Sequence, residues 1–226
     1  MFFFDPTMMI LIPAIILAFW ANHLVKSNYN KYKKVENNVG MTGAEVAQAI
    51  LERNGIGDIP IVAVEGELTD HYDPRKREVR LSKDIFYGNS IASVAVAAHE
   101  VGHALQHAQS YVPLKIRHAI FPVARFGSGA AFPLFFIGFL FSAPFLMDIG
   151  IIFFVAALLF QVATLPVEFN ASQRAFKQLG EGFVIDPREM VGVKKVLNSA
   201  ALTYVAATLM ALLQVIRLLA LRNSRN

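Results

Sequence analysis

The chain has 226 residues, 55% of them hydrophobic and 17% charged, with 19 Phe, no Cys and a formal net charge of +4. So large an apolar share is unusual for a soluble domain and calls for a bilayer as part of the solvent. Without Cys there are no disulfides, thiolate nucleophiles or cysteine-held zinc; the positive charge flanks apolar stretches, where it suits anionic headgroups, and no aromatic-basic platform for nucleic acid is present.

The first element is a charge-free stretch from Pro6 to Val25, long enough to cross about 30 Å of hydrocarbon as a helix. No Lys or Arg precedes it, and no small-x-small cleavage site follows in Phe19-Trp20-Ala21-Asn22-His23, so it is expected to be a retained anchor. Lys26, Lys31, Lys33 and Lys34 come next, and the bias of basic residues toward the cytoplasm predicts an outward amino terminus.

About 90 residues of ordinary polar character follow, enough for a small domain. Thr42 to Asn54 is predicted to be a helix, opened by a Thr42/Glu45 capping box and stopped by Gly55. Ile59 to Val64 reads as a short apolar strand, and Glu67 to Tyr72 with Glu78 to Ser82 as a hairpin around Asp73 to Arg77. Ile91 to Leu105 is rich in Ala and Val, follows the capping residues Asn89 and Ser90, and is expected to end before Pro113. Helix, short strands, helix is an α+β order; an exposed edge strand there would let an extended peptide add as a further strand.

That last helix carries His99-Glu100-Val101-Gly102-His103. Two His four apart project from one helical face, so both imidazoles can reach one metal ion. Glu100, next to the first, can stand beside the metal's water as a general base. Zinc suits neutral imidazole nitrogens at about 2.0–2.1 Å.

Three more charge-free stretches follow, Phe126 to Met147, Ile149 to Val167 and Val196 to Ile216, the first two expected to form a tight hairpin around Asp148. Lys115, Arg117 and Arg125 before this hairpin, and Arg174, Lys177, Arg188, Lys194 and Lys195 after it, predict that both its ends are cytoplasmic. Arg217, Arg222 and Arg225 run against that bias if the last segment crosses fully.

A catalytic zinc takes three protein ligands and leaves one position open. Glu168, just after the third span, is the best third ligand, on a new helix that Pro166 is expected to open. His107 continues the spacing from His103, but one straight helix cannot wrap three turns around a tetrahedral ion, so a supporting role is expected of it. Asp70 and His71 are candidates for polarising a substrate carbonyl, and Tyr72 and Arg174 for stabilising an oxyanion.

The segments AAHEVGHALQH, ending at His107, and TLPVEFNASQRA, from Thr164 to Ala175, resemble the YugP-type family of bacterial membrane neutral zinc metallopeptidases. The similarity runs along nearly the whole chain, through Asp70-His71-Tyr72-Asp73-Pro74-Arg75 to the final apolar helix. It implies His99, His103 and Glu168 as zinc ligands and Glu100 as catalytic base. The pattern is also similar to the HtpX/Ste24 group of membrane gluzincins, in which Asp usually stands four residues after the Glu ligand. Ser172 holds that place here, so a carboxylate bond to a ligand histidine is not assumed.

The expectation is an α-helical integral membrane protein with about four transmembrane helices and a small α+β zincin-like domain. Its segments are an anchor (1–28), a catalytic region (29–118), a transmembrane hairpin (119–167), a helical segment carrying the third ligand (168–195), and a fourth helix with a basic tail (196–226). The function expected is a Zn2+-dependent endopeptidase of the bacterial inner membrane, cleaving membrane-associated or unfolded proteins at the cytoplasmic face. A catalytically inactive zinc-fold membrane adaptor or chaperone is the alternative, which an intact Glu100 argues against. A small transporter subunit is a further one, which needs polar residues inside spans that nearly lack them.

Overall fold

The computed structural model describes residues 5–182 and 185–224. A 3-10 turn, Pro6–Leu11, leads into α1 (Ile12–Tyr32), followed by α2 (Gly43–Arg53), β1 (Ile61–Val64), β2 (His71–Asp73), β3 (Glu78–Ser82), α3 (Lys83–Phe86), α4 (Ile91–Ala108), α5 (Val112–Leu140), α6 (Pro144–Gly182) and α7 (Pro187–Asn223). Among the described residues four helices, α1 with its leading turn, α5, α6 and α7, are long and apolar enough to cross a membrane. Most of their apolar surface faces outward: Phe19, Phe126 and Phe145 are each more than 70% exposed. Lipid is the solvent such faces require. The protein is thus a helical membrane protein with a small α+β domain.

The chain divides into two compact units. The first comprises residues 1–21, 115–166 and 203–226. Its α5 and α6 form a hairpin, but the turn is not at Asp148. It lies at 141–143, because Ser142 adopts a left-handed φ of 51°, the Ala143 N–H donates to the Gly138 carbonyl at 2.8 Å, and Pro144 stands at the first position of α6, where its missing N–H costs nothing. The turn residues are uncharged, so scanning for charge could not find it. A Cβ on Gly138 would lie 2.7 Å from the Met147 backbone nitrogen, and one on Gly150 2.8 Å from the Ala131 carbonyl, so the two helices touch through glycines. Asp148 sits inside α6 and accepts 2.7 and 3.1 Å hydrogen bonds from Arg222. Arg217 donates to Asp5 at 2.6 Å. The arginines of α7 are thereby matched by carboxylates beside the chain's start and the α5–α6 turn, which takes α7 fully to that end of the unit. Arg225 lies outside the described residues.

The second unit comprises residues 22–114 and 167–202. The predicted α2 capping box is present, with the Glu45 N–H donating to Thr42 Oγ1 at 3.2 Å and the Thr42 N–H to the Glu45 carboxylate at 2.7 Å. Gly55, with φ 73°, follows the helix. The three strands are ordered β1-β3-β2, with β1 parallel and β2 antiparallel to β3. Val79 and Leu81 of β3 are fully buried, alternating with the partly buried Glu78 and Arg80. β2 is shorter than expected because Gly66 and Leu68 take left-handed φ values of 96° and 58°, which bend the chain away from the ladder. Ile50, Leu51, Leu81, Ile85, Val94, Val101 and Leu179 lie in the core against which α4 packs.

Candidate metal centre

α4 starts where Ser90 caps it, its hydroxyl accepting from the Ser93 N–H at 3.1 Å. Helical periodicity then places His99 and His103 one turn apart, with ring centroids 4.8 Å apart and planes nearly perpendicular at 88°. The third group arrives from α6. Glu168 Oε2 lies 3.4 Å from His99 Nε2 and 3.5 Å from His103 Nε2, with the Glu168 carboxylate almost wholly buried.

This convergence depends on how closely α6 approaches α4. A Cβ at Gly102 would stand 2.6 Å from the Ala171 carbonyl oxygen, so the two helix backbones touch there, with no side chain between them. Glu168 lies one turn before Ala171 on the same helix. It does not open a new helix at Pro166: α6 runs unbroken past that residue. Proline forgoes one backbone bond, a loss that helices in apolar surroundings accommodate by local adjustment.

The ligand atoms of His99, His103 and Glu168 all lie within 4.8 Å of one another. Tetrahedral ligation at about 2.0–2.1 Å sets ligand atoms about 3.4 Å apart, the separation of the carboxylate oxygen from each imidazole nitrogen. A charge-assisted hydrogen bond would instead be about 2.7–2.9 Å. Two imidazoles and a carboxylate are also the donor set a zinc ion takes, so the residues fit the ion.

Both histidines are held from behind. His99 Nδ1 is 3.2 Å from Ser172 Oγ, and His103 Nδ1 is 3.1 Å from Gln106 Oε1. Gln106 is fully buried and donates through Nε2 to the Val167 carbonyl at 2.7 Å and to Asn170 Oδ1 at 3.0 Å. Arg174 donates to Asn170 Oδ1 at 2.7 Å and to Gln109 Oε1 at 2.6 Å, with its guanidinium 5.8 Å from the Tyr111 ring centroid. The sequence singled out Ser172 and Arg174 but missed Gln106 and Asn170. A polar side chain three residues after His103 on the same helix was the available signal for Gln106.

Glu100 is buried, and burial pushes its carboxyl up to about 7, with Glu168 and Asp70 adding to the rise and His99 and a hydrogen bond from the Tyr72 backbone opposing it. The Tyr72 hydroxyl of the edge strand β2 lies 2.8 Å from His107 Nδ1. His107 contacts Tyr72 with its ring rather than joining the three-residue cluster. His71, exposed at the start of β2, donates through Nδ1 to the Thr69 carbonyl at 2.7 Å. Asp70 accepts from the Ser82 N–H at 2.7 Å and the Ser82 hydroxyl at 3.0 Å.

The family described as "Putative neutral zinc metallopeptidase" matches residues 7–223. The chain belongs to this family. Among its relatives is the "Putative membrane protease YugP" of Bacillus subtilis (strain 168), 55% identical over 208 residues that cover 91% of this chain and 92% of that protein. No solved structure matches the chain. Membership spans both compact units, so the apolar helices and the three-residue cluster belong to one family architecture.

Proposed function

We propose that the protein is a membrane-bound zinc endopeptidase of gluzincin type, with His99, His103 and Glu168 as the metal ligands and Glu100 as the general base. The observation that carries this reading is the meeting of Glu168 with the His99/His103 pair at ligand spacing, next to the buried carboxyl of Glu100. Bound there, zinc would polarise the scissile carbonyl and acidify the attacking water. Glu100 takes the proton of that water and passes it to the leaving amine. In the ion-free protein burial raises that carboxyl above its ordinary value, and a general acid–base works best with a pKa near the working pH. β2 is an outer strand of the sheet. An extended substrate adding along β2 would be gripped through its main chain, with little demand on its sequence.

The substrates in this reading are membrane proteins, their tails or unfolded segments near the bilayer, cut on the cytoplasmic side of a bacterial inner membrane. Two features support it: the cluster's helix α6 continues from an apolar span, and basic residues gather after the first span, before the second and after the third. Purified full-length protein in detergent tests it by metal analysis and peptide cleavage. Wild type should hold one zinc per chain and cut an unfolded polypeptide. His103→Ala and Glu168→Ala should lose both metal and cleavage. Full zinc occupancy in Glu168→Ala would transfer the third position to another residue.

A further inference from the structure

We infer that Gln106 is a positioning residue that sets the tautomer of His103 and so prepares its Nε2 as a metal ligand. The inference rests on the proposed zinc site but is read from hydrogen bonds that exist without the ion.

The chemistry of the partners fixes the direction of each bond. The Val167 carbonyl oxygen can only accept, so the Gln106 amide atom 2.7 Å from it is the NH2 group. A second anchor gives the same answer. The Arg174 guanidinium can only donate, so the Asn170 atom 2.7 Å from its Nε is the oxygen. That oxygen in turn accepts from the Gln106 amide at 3.0 Å. With NH2 fixed by both contacts, the atom of Gln106 facing His103 Nδ1 at 3.1 Å is Oε1. Oε1 has no proton to give, so Nδ1 must carry the hydrogen. In a neutral imidazole the other nitrogen then bears the lone pair, and in His103 that nitrogen is Nε2, 3.5 Å from Glu168 Oε2.

The contrast with His99 sharpens the assignment. Its Nδ1 faces the Ser172 hydroxyl, which donates or accepts according to need and leaves the tautomer open. Gln106 allows one answer only, and it lies fully buried, where water cannot substitute for it. Two of its three contacts join α4 to α6 one helical turn beyond His103, so the same side chain that orients the imidazole also ties it to the helix that delivers Glu168. Arg174 and Asn170 act through it, and their role is to hold the amide.

Histidine 15N–1H correlation spectra of the metal-free full-length protein in detergent, recorded alkaline of imidazole titration, read the tautomer directly. His103 should show the Nδ1–H form in wild type; the Nε2–H form there overturns the inference even if no variant folds. Gln106→Met keeps the size of the side chain and removes every bond. It should abolish the preference for Nδ1–H and weaken zinc binding about 10–100-fold, the usual effect of losing a partner behind a ligand. Ser172→Ala should leave the His103 tautomer unchanged. Wild-type zinc affinity in a folded Gln106→Met protein overturns the positioning role. A wild-type protein that binds no zinc would instead defeat the proposed function, while the tautomer assignment would still be read independently on the same sample.

Discussion

Replacing Gly102 by Ala adds one methyl at the point where α4 meets the backbone of α6. The new Cβ would lie 2.6 Å from the Ala171 carbonyl oxygen, whereas ordinary contact begins at 3.4 Å, so the helices must part by up to about 0.8 Å locally. The obstacle is backbone, so no side-chain rotation relieves it. Glu168 is three residues from Ala171 and shares any displacement of α6. Metal sites tolerate ligand distances only within about 0.2 Å of ideal, so even half of that movement takes the carboxylate out of range. Two effects compete in stability: overpacking costs about 1–3 kcal/mol, and Ala in place of a helical Gly returns about 0.5–1 kcal/mol. The expected outcome is a net loss between about 0 and 2.5 kcal/mol, with zinc affinity reduced by at least about tenfold. Zinc titration and thermal unfolding of the metal-free protein measure the two parts. Gly129→Ala, where a Cβ meets nothing within 4 Å, is the control and should keep wild-type zinc affinity. Wild-type affinity and an unchanged unfolding midpoint in Gly102→Ala would refute the claim that the Gly102–Ala171 approach delivers Glu168.

Glu100→Gln keeps the shape of the base but not its basicity, so it should retain zinc and fold while turnover falls by at least about 10²-fold; wild-type turnover would remove Glu100 from the chemistry. Burial raises the Asp70 carboxyl above its ordinary 3.8 despite the bonds from Ser82, so the fold favours its neutral form. The associated stability is complete below 3.8 and is lost as pH rises through the raised value, so Asp70→Asn should gain on wild type over that interval; a difference independent of pH would contradict the assignment. For topology, single cysteines at Lys76 and at the exposed turn residue Ser142 are clean probes in a chain without Cys. A membrane-impermeant reagent should label the Ser142→Cys protein in intact cells and the Lys76→Cys protein only after lysis, and the opposite pattern would turn the protein over in the membrane.

Features that depend on near neighbours are legible in the sequence itself. The pairing of His99 with His103 follows from 3.6 residues per turn, the Thr42/Glu45 capping box from three-residue spacing, and the apolar spans from composition alone. Glu168 is legible as a candidate through its place after a span and through resemblance, but its reach to the two imidazoles is a property of packing, because it requires a glycine on one helix against the backbone of another. The same holds for Gln106, whose partner Val167 is 61 residues away. Pro166 and the hairpin show the limit of local signals in an apolar setting. A proline stays inside α6 because the surroundings favour continuing the helix over exposing its ends, and the true turn at 141–143 hides among uncharged residues. Local periodicity therefore determines which side chains a helix can offer together, and only the close approach of distant helices decides which of those offers meet a third group.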